Sequence, residues 1–288
     1  MIEIPDVKLN QKSDLVSENF NFKLMDEECS IDLNKNYERP PLVISIGYDD
    51  KSYNGINFPL RFGTQGNISM IKGEEKARKS FLKSLILSCS FGGKSNHFTN
   101  SLDILGHNLK DKLILDIDTE QDEYDSWINA SRIPKMVGAV PSNYRAKRLR
   151  EKTPNERLAY LEWLFMESDV RNELGIVSID GYVDLINDFN SQLESSELTQ
   201  KLMKWSSISK AHITGVLHLN PGSTKARGHL GTILQQKCET VVIIKDEGEH
   251  SLVTCQRGRG KKFKEFCITV NEDWLPIIID NPNGENWI

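Results

Sequence analysis

Between an apolar run, Ile68-Ser69-Met70-Ile71, and a helix-like run, Phe81-Leu82-Lys83-Ser84-Leu85-Ile86, the chain carries Gly73-Glu74-Glu75-Lys76-Ala77-Arg78-Lys79-Ser80. Strand, short loop ending in Lys-Ser, then helix is the layout of a P-loop. In that motif backbone N–H groups and the helix N-terminus cradle a triphosphate, the lysine reaches the β and γ phosphates, and the serine hydroxyl ligates Mg²⁺. Gly73, Lys76, Arg78, Lys79, Ser80 and Phe81 are therefore the candidate ATP-binding residues. One position departs from the pattern G-x-x-x-x-G-K-[ST]. Arg78 stands where glycine lets backbone approach phosphate without a Cβ in the way. Taken alone, the octapeptide reads as well as a charged helix N-terminus following a strand.

At 288 residues there is room for one large α/β domain with a small extension, or for two modest domains. The net charge of -5 supplies no global positive field toward nucleic acid or an anionic membrane, so any DNA contact has to be local. Cys29, Cys89, Cys238, Cys255 and Cys267 are scattered and include no C-x-x-C pair, which argues against a disulfide framework or a zinc knuckle. The start, Met1-Ile2-Glu3-Ile4-Pro5-Asp6, lacks the basic and apolar stretches of a signal peptide, and no window reaches the roughly 18 apolar residues of a membrane span. A soluble, cytoplasmic protein with no membrane partner is expected.

Along the chain, residues 1 to about 40 are polar and read as an arm with little core of its own. Leu42 to Ile46 reads as a strand, and Ile56-Asn57-Phe58 after a turn-rich segment suggests a hairpin partner, with an irregular loop the equal alternative because Pro59 and Gly63 limit a second strand. Phe81, Leu82, Leu85, Ile86 and Cys89 recur at helical spacing until Gly92-Gly93. Lys112 to Glu120 is a buried-type strand that turns acidic at its end, and Gly175 to Gly181 is an apolar strand closing on Asp180. In open α/β sheets such strand ends face the ligand crevice, so their carboxylates can meet a metal or an attacking water. Tyr124 to Ser168 looks helical in at least two pieces, broken near Pro134 to Pro141 and at Thr153-Pro154, the latter resembling an N-cap with proline at the first helical position. Leu193 to Ser209 is helical, with Leu198, Leu202, Trp205 and Ile208 as the buried stripe, and Ile213 to Asn220 is a strand with His218 at its polar tip. Glu239 to Asp246 and Ser251 to Gln256 form a strand pair, Phe266 to Val270 closes the fold, and the tail with Pro276, Pro282 and Gly284 lies over the surface. The run Arg257-Gly258-Arg259-Gly260-Lys261-Lys262 has three readings: a grip on nucleic-acid phosphates, an arginine finger for a neighbouring subunit, or a solvated hairpin tip.

Taken together, Gly66-Asn67-Ile68-Ser69 with the Lys76 to Ser80 loop, Asp118-Thr119-Glu120-Gln121, Val177 to Gly181, Leu217-His218-Leu219-Asn220 and Arg227 to Thr232 resemble a RecA-type ATPase core. They are similar in particular to the RepA-type plasmid helicases and the helicase-like ATPases of Bacteroidetes mobile elements, over about residues 60 to 270. In the mobile-element branch arginine replaces the second loop glycine, so Arg78 looks like a branch trait.

This resemblance implies an α/β, RecA-like core over 61–270 with a central mostly parallel sheet flanked by helices and C-terminal antiparallel hairpin strands. An N-terminal arm with a β-hairpin (1–60) would precede it and a tail (271–288) would follow. It implies ATP and Mg²⁺ as ligands, Lys79 and Ser80 at phosphate and metal, Glu120 activating water, Asp180 as the second metal residue, and His218 as sensor. Arg257 or Arg259 would be the finger reaching the next subunit, although Cys255 stands where such helicases often carry a lysine. Of the loops that hold DNA in these motors, Val183 to Glu197 is acidic, and only Lys225 and Arg227 have suitable charge; Arg227 would alternatively belong to a subunit interface. The expected function is a helicase-like, ring-forming hexameric motor on single-stranded DNA in replication or mobilisation of an extrachromosomal element, with other proteins of that process as partners. The alternative is an ATP-binding assembly or adaptor protein with slow hydrolysis and no translocation.

Overall fold

The computed structural model describes residues 21–52, 54–91, 103–219, 226, 228–279 and 281–282. The chain divides into two compact units, Met1–Arg39 and Pro40–Ile288. In the first, helix α1 (Phe22–Cys29) is capped by the Asn21 side chain and buries none of its residues. No helix among the described residues is long and apolar enough to cross a membrane.

The second unit is built on a nine-stranded sheet ordered β12-β11-β10-β9-β3-β8-β7-β5-β6. Its strands are β3 (Ile68–Gly73), β5 (Leu113–Asp118), β6 (Tyr144–Arg148), β7 (Leu174–Asp180), β8 (His212–His218), β9 (Thr240–Asp246), β10 (Ser251–Gly258), β11 (Phe266–Val270) and β12 (Pro276–Ile279). Pairing is parallel from β9 through β3, β8, β7 and β5 to β6, and antiparallel from β9 to β12. Strands buried on both faces read as continuous apolar runs, which is why β3 and β7 are legible without alternation. A smaller three-stranded sheet, β2-β1-β4, consists of β1 (Leu42–Tyr48), β2 (Pro59–Thr64) and β4 (Ile104–Gly106).

Helices cover both faces. On one, α2 (Lys79–Cys89) and α3 (Glu123–Val137) share a core with the small sheet through Ile44, Phe62, Leu82, Ile86, Ile133 and Met136. On the other, α4 (Pro154–Met166), α5 (Gln192–Ser209) and α6 (Gly228–Lys237) pack Leu161, Phe165, Leu202, Trp205 and Leu234 against the sheet. Each such side chain contributes about 1.5–3 kcal/mol of transfer free energy. Phe165 stacks on Trp205 with centroids 5.5 Å apart.

The architecture is the α/β, RecA-like one expected, with several local departures. The partner of β1 starts at Pro59, not Ile56, and runs through both supposed breakers. Proline is tolerated as a first strand residue, and at Gly63 a Cβ would stand 2.5 Å from His212 Nε2, so only glycine leaves room for that ring. Pro134 lies inside α3, not at a break. It cannot donate to Ala130 O, which instead has the Tyr144 hydroxyl 3.5 Å away. Between α3 and α4, where only helix was expected, sits strand β6, an edge strand whose Arg145, Ala146 and Lys147 are exposed. Charge on an edge discourages pairing with other chains and erases the apolar signal of a strand. Ile208 is half exposed, whereas Leu198, Leu202 and Trp205 are buried. The tail does not simply lie on the surface, because Pro276–Ile279 forms β12, antiparallel to β11. Gly92-Gly93 lies outside the described residues.

Candidate functional site at the carboxyl rim of the sheet

Register brings the chemically active strand ends level. Gly73 pairs with His218, Asp118 with Asp180, and Asp180 with Val216, so β3, β8, β7 and β5 finish at one rim. This is the rim that faces a ligand crevice in open α/β sheets.

β3 ends at Gly73, where a Cβ would lie 2.6 Å from Ile244 O. The following loop folds back, with Ala77 N donating to Glu74 O at 3.3 Å, and delivers the chain to the N-terminus of α2. Lys76 and Arg78 both take positive φ, 63° and 65°. The conformation at Arg78 is thus the one a glycine adopts freely and a side chain adopts at a cost of roughly 1–2 kcal/mol. Four guanidinium hydrogen bonds offset it. Nη1 donates to Asp246 Oδ1 at 2.7 Å, Ser251 Oγ at 2.9 Å and His250 O at 3.3 Å, and Nη2 donates to Gly248 O at 2.7 Å. Arg78, expected to hold nucleotide, directs both terminal nitrogens to the β9–β10 turn while bordering the cavity.

Lys79 Nζ donates to Glu74 O at 2.5 Å. Burial lowers its pKa against the attraction of Asp180 and Glu120. Ser80 Oγ donates to Asp180 Oδ2 at 3.1 Å. One turn further along α2, Lys83 reaches the same place from inside, 3.1 Å from Asp116 Oδ1 and 3.2 Å from Asp180 Oδ2. Burial disfavours its charge, but the fields of Asp116, Asp180 and Asp118 outweigh that and hold its pKa above the ordinary lysine value. Burial also raises Asp116 against the pull of Lys83. One ammonium thus faces two carboxylates, and the lysine stays charged.

Glu120 follows β5, its backbone N–H donating to Asp118 Oδ1 at 2.9 Å. Its Oε2 is 3.8 Å from His218 Nε2. Arg157 steadies this turn: buried in α4, it donates to the carbonyls of Leu149, Asp184, Thr119 and Arg150 at 2.7 to 3.0 Å. The Thr119 hydroxyl in turn donates to Asp180 O at 2.8 Å and accepts from Gly181 N at 2.8 Å.

Lys76, Arg78, Lys79, Ser80, Phe81, Glu120, Asp180 and His218 all border one cavity of about 420 Å³. Arg257 and Arg259 do not. They lie where β10 passes Thr240 and Val241, level with Ser69 at the start of β3 and about 13 Å down the strand from Gly73. There Arg257 donates to Gln235 O, and Arg259 donates to Asn67 Oδ1 and Lys237 O. Lys225 and Arg227, the candidate DNA contacts, lie outside the described residues. Sequence reading passed over Lys83, Arg132 and Arg157. The only available signal was a basic residue on the apolar stripe of each helix, at positions 82/83/86, 132/133/136 and 157/161/164.

Ser80 and Asp180 suit Mg²⁺, which takes hard oxygen ligands and is usually held by one or two protein groups plus water and phosphate. No larger cluster of His, Cys, Asp or Glu fit to hold a metal occurs among the described residues.

A mostly parallel sheet whose first core strand ends in a phosphate-type loop, with antiparallel strands at its far edge, defines the RecA-like class of α/β folds. Among solved structures the chain is similar to the RadB recombinase, with a TM-score of 0.50 and 13% identity over 75% of this chain and 92% of that one. No protein-family model and no curated protein sequence matches it.

Proposed function

We propose that this chain is a Mg²⁺-dependent ATPase that assembles head-to-tail as a hexameric ring in the cytoplasm. Its substrate would be single-stranded DNA, in the replication or mobilisation of a plasmid, phage or transposon. The observation that carries the ATPase reading is the convergence of Lys79, Ser80, Glu120, Asp180 and His218 on one cavity at a helix N-terminus. Lys79 and the loop N–H groups bind the phosphate chain. Ser80 and Asp180 hold Mg²⁺, which neutralises charge developing on the phosphates. Glu120 orients the attacking water and accepts its proton. His218, beside Glu120, registers loss of the γ phosphate and passes it to the segment after β8. The DNA role rests on the resemblance to plasmid helicases, and the name of RadB, a recombinase, is in keeping with it.

Turnover of ATP by the purified chain is the test. Lys79→Ala should abolish it, and Glu120→Gln should lower it by about 100-fold or more while nucleotide still binds. Turnover unchanged in Lys79→Ala sinks the assignment. Ring assembly is judged by mass photometry with ATP and Mg²⁺; a monomer at all micromolar concentrations counts against it.

The adaptor reading is favoured by one observation: Arg257 and Arg259 are hydrogen-bonded within their own chain. Single-stranded DNA separates the two, raising ATP turnover several-fold in a motor and leaving it flat in an adaptor.

A further inference from the structure

Two arginines of this chain are buried to nearly the same degree, with 8% of Arg157 and 7% of Arg132 exposed. Their surroundings differ. Arg157 gives its donors to four backbone carbonyls. Arg132, on the third turn of α3, leaves Nε and Nη1 without an acceptor among the described residues. A desolvated cation with unmet donors is among the more costly features a protein interior can hold. Such donors are met by water or by a ligand that enters beside them.

Where Arg132 points is set by Phe81, the residue after Ser80. The guanidinium carbon lies 3.7 Å from the centroid of the Phe81 ring. Face-on contact of this kind holds the guanidinium plane without using any N–H, so its edge donors stay available. Arg132 also borders the cavity that contains Lys79, Ser80 and Asp180. Asp180 attracts it but makes no ion pair with it, and its Oδ2 is already taken by Ser80 and Lys83.

We propose that Arg132 is a second cationic contact for the phosphate chain of a bound nucleotide, supplied from α3 within the same chain and held in position by stacking on Phe81. The inference rests on the nucleotide-binding reading of the cavity and adds a residue to it. A base offers only neutral acceptors, whereas a phosphate chain offers the negative charge that a buried guanidinium lacks. Phosphate is therefore the occupant that the burial and the charge favour, and the base contact is the competing outcome.

The experiment uses the full chain and its Arg132→Met and Arg132→Lys variants. Affinities are measured by calorimetry without Mg²⁺ for ATP, GTP, adenosine and inorganic tripolyphosphate, and melting temperature is followed with and without ATP. In Arg132→Met, affinity for ATP, GTP and tripolyphosphate should fall together by roughly 10- to 100-fold, while adenosine is unaffected. Arg132→Lys should recover part of the loss. Without ligand, Arg132→Met should melt no lower than the parent, because an unmet buried charge has been removed, and its upward shift with ATP should shrink. Unchanged ATP and tripolyphosphate affinity overturns the proposal. So does a loss confined to ATP and adenosine, which marks a base contact, or a ligand-free variant that melts well below the parent with its ATP affinity intact. If the parent chain binds neither ATP nor tripolyphosphate, the nucleotide reading itself fails, a result distinct from all of these.

Discussion

Ser80 Oγ donates to Asp180 Oδ2 at 3.1 Å although the two residues are 100 positions apart. The same carboxylate oxygen is 3.2 Å from Lys83 Nζ. The Ser80 hydroxyl can offer a lone pair to a divalent cation while its proton stays on Asp180, whereas Lys83 holds the carboxylate from the buried side.

Ser80→Ala should therefore act on cation use and hardly at all on folding. The Mg²⁺ concentration that half-saturates ATP turnover should rise about 10-fold or more, corresponding to one lost ligand worth about 1.4 kcal/mol. The urea midpoint should move by less than about 1 kcal/mol in stability. A variant with the parent Mg²⁺ requirement would remove Ser80 from the site.

Arg78 makes the opposite prediction, with folding affected and nucleotide spared. Its hydrogen bonds to Asp246, Gly248 and Ser251 are partly exposed, so together they are worth about 1–2 kcal/mol after screening. Arg78→Gly loses them but relieves the left-handed backbone; Arg78→Ala loses them and keeps the strain. Arg78→Ala should therefore melt lowest, with the parent and Arg78→Gly close together, and ATP affinity should be the same in all three. Weaker ATP binding in both variants would show that the side chain serves the phosphates after all.

Lys83 sits between Asp116 and Asp180 with 2% of its side chain exposed. Removing one partner of such a group leaves uncompensated buried charge, so Lys83→Met should destabilise the fold by about 3–5 kcal/mol. Combining it with Asp116→Leu should return more than half of that, giving a large coupling in a double-mutant cycle followed by urea unfolding. Simple additivity would mean that the pair is not a unit.

His212 supplies a pH dependence. It is fully buried beside Gly63, donates from Nδ1 to Thr64 O at 3.1 Å, and has its Nε2 2.8 Å from Ser69 Oγ. Burial pushes its pKa down to about 4 from 6.5. Between those values the unfolded chain takes up a proton that the folded chain refuses, so this contribution is complete above pH 6.5 and is lost as pH falls toward 4. Its full size is about 3 kcal/mol. Glu239, with Oε1 3.7 Å from Nδ1, works in the other direction. Burial raises its pKa, so its contribution is present below about 4.5 and is lost as pH rises through the folded value. The difference in urea midpoint between the parent and His212→Gln should therefore hold level from pH 7.5 to about 6.5 and change from there to pH 4.5, the parent losing more in acid. A difference independent of pH would refute the assignment to His212.

Much of this molecule is legible in its chain because the signals are local. A strand buried on both faces is a short apolar run, and Leu113–Asp118, Leu174–Asp180 and His212–His218 each end in the polar residue that reaches the rim. The Thr153/Glu156 capping box with Pro154 is equally local, and it forms as the residues suggest. Strand Tyr144–Arg148 escaped notice because an edge strand carries charge where the usual pattern requires apolar residues.

The loop from Gly73 to Ser80 shows where local reading ends. Its order of residues was enough to place a strand, a turn and a helix N-terminus in succession, since each follows from backbone preference and short-range polarity. The sequence could not say that Arg78 would grip a turn some 170 residues away, that Lys83 would be closed in by two carboxylates, or that Arg132 would lie on Phe81 with donors unmet. Those facts depend on what packs opposite a charged side chain. Burial and partner identity are properties of the assembled sheet and helices, so the tertiary structure alone decided them.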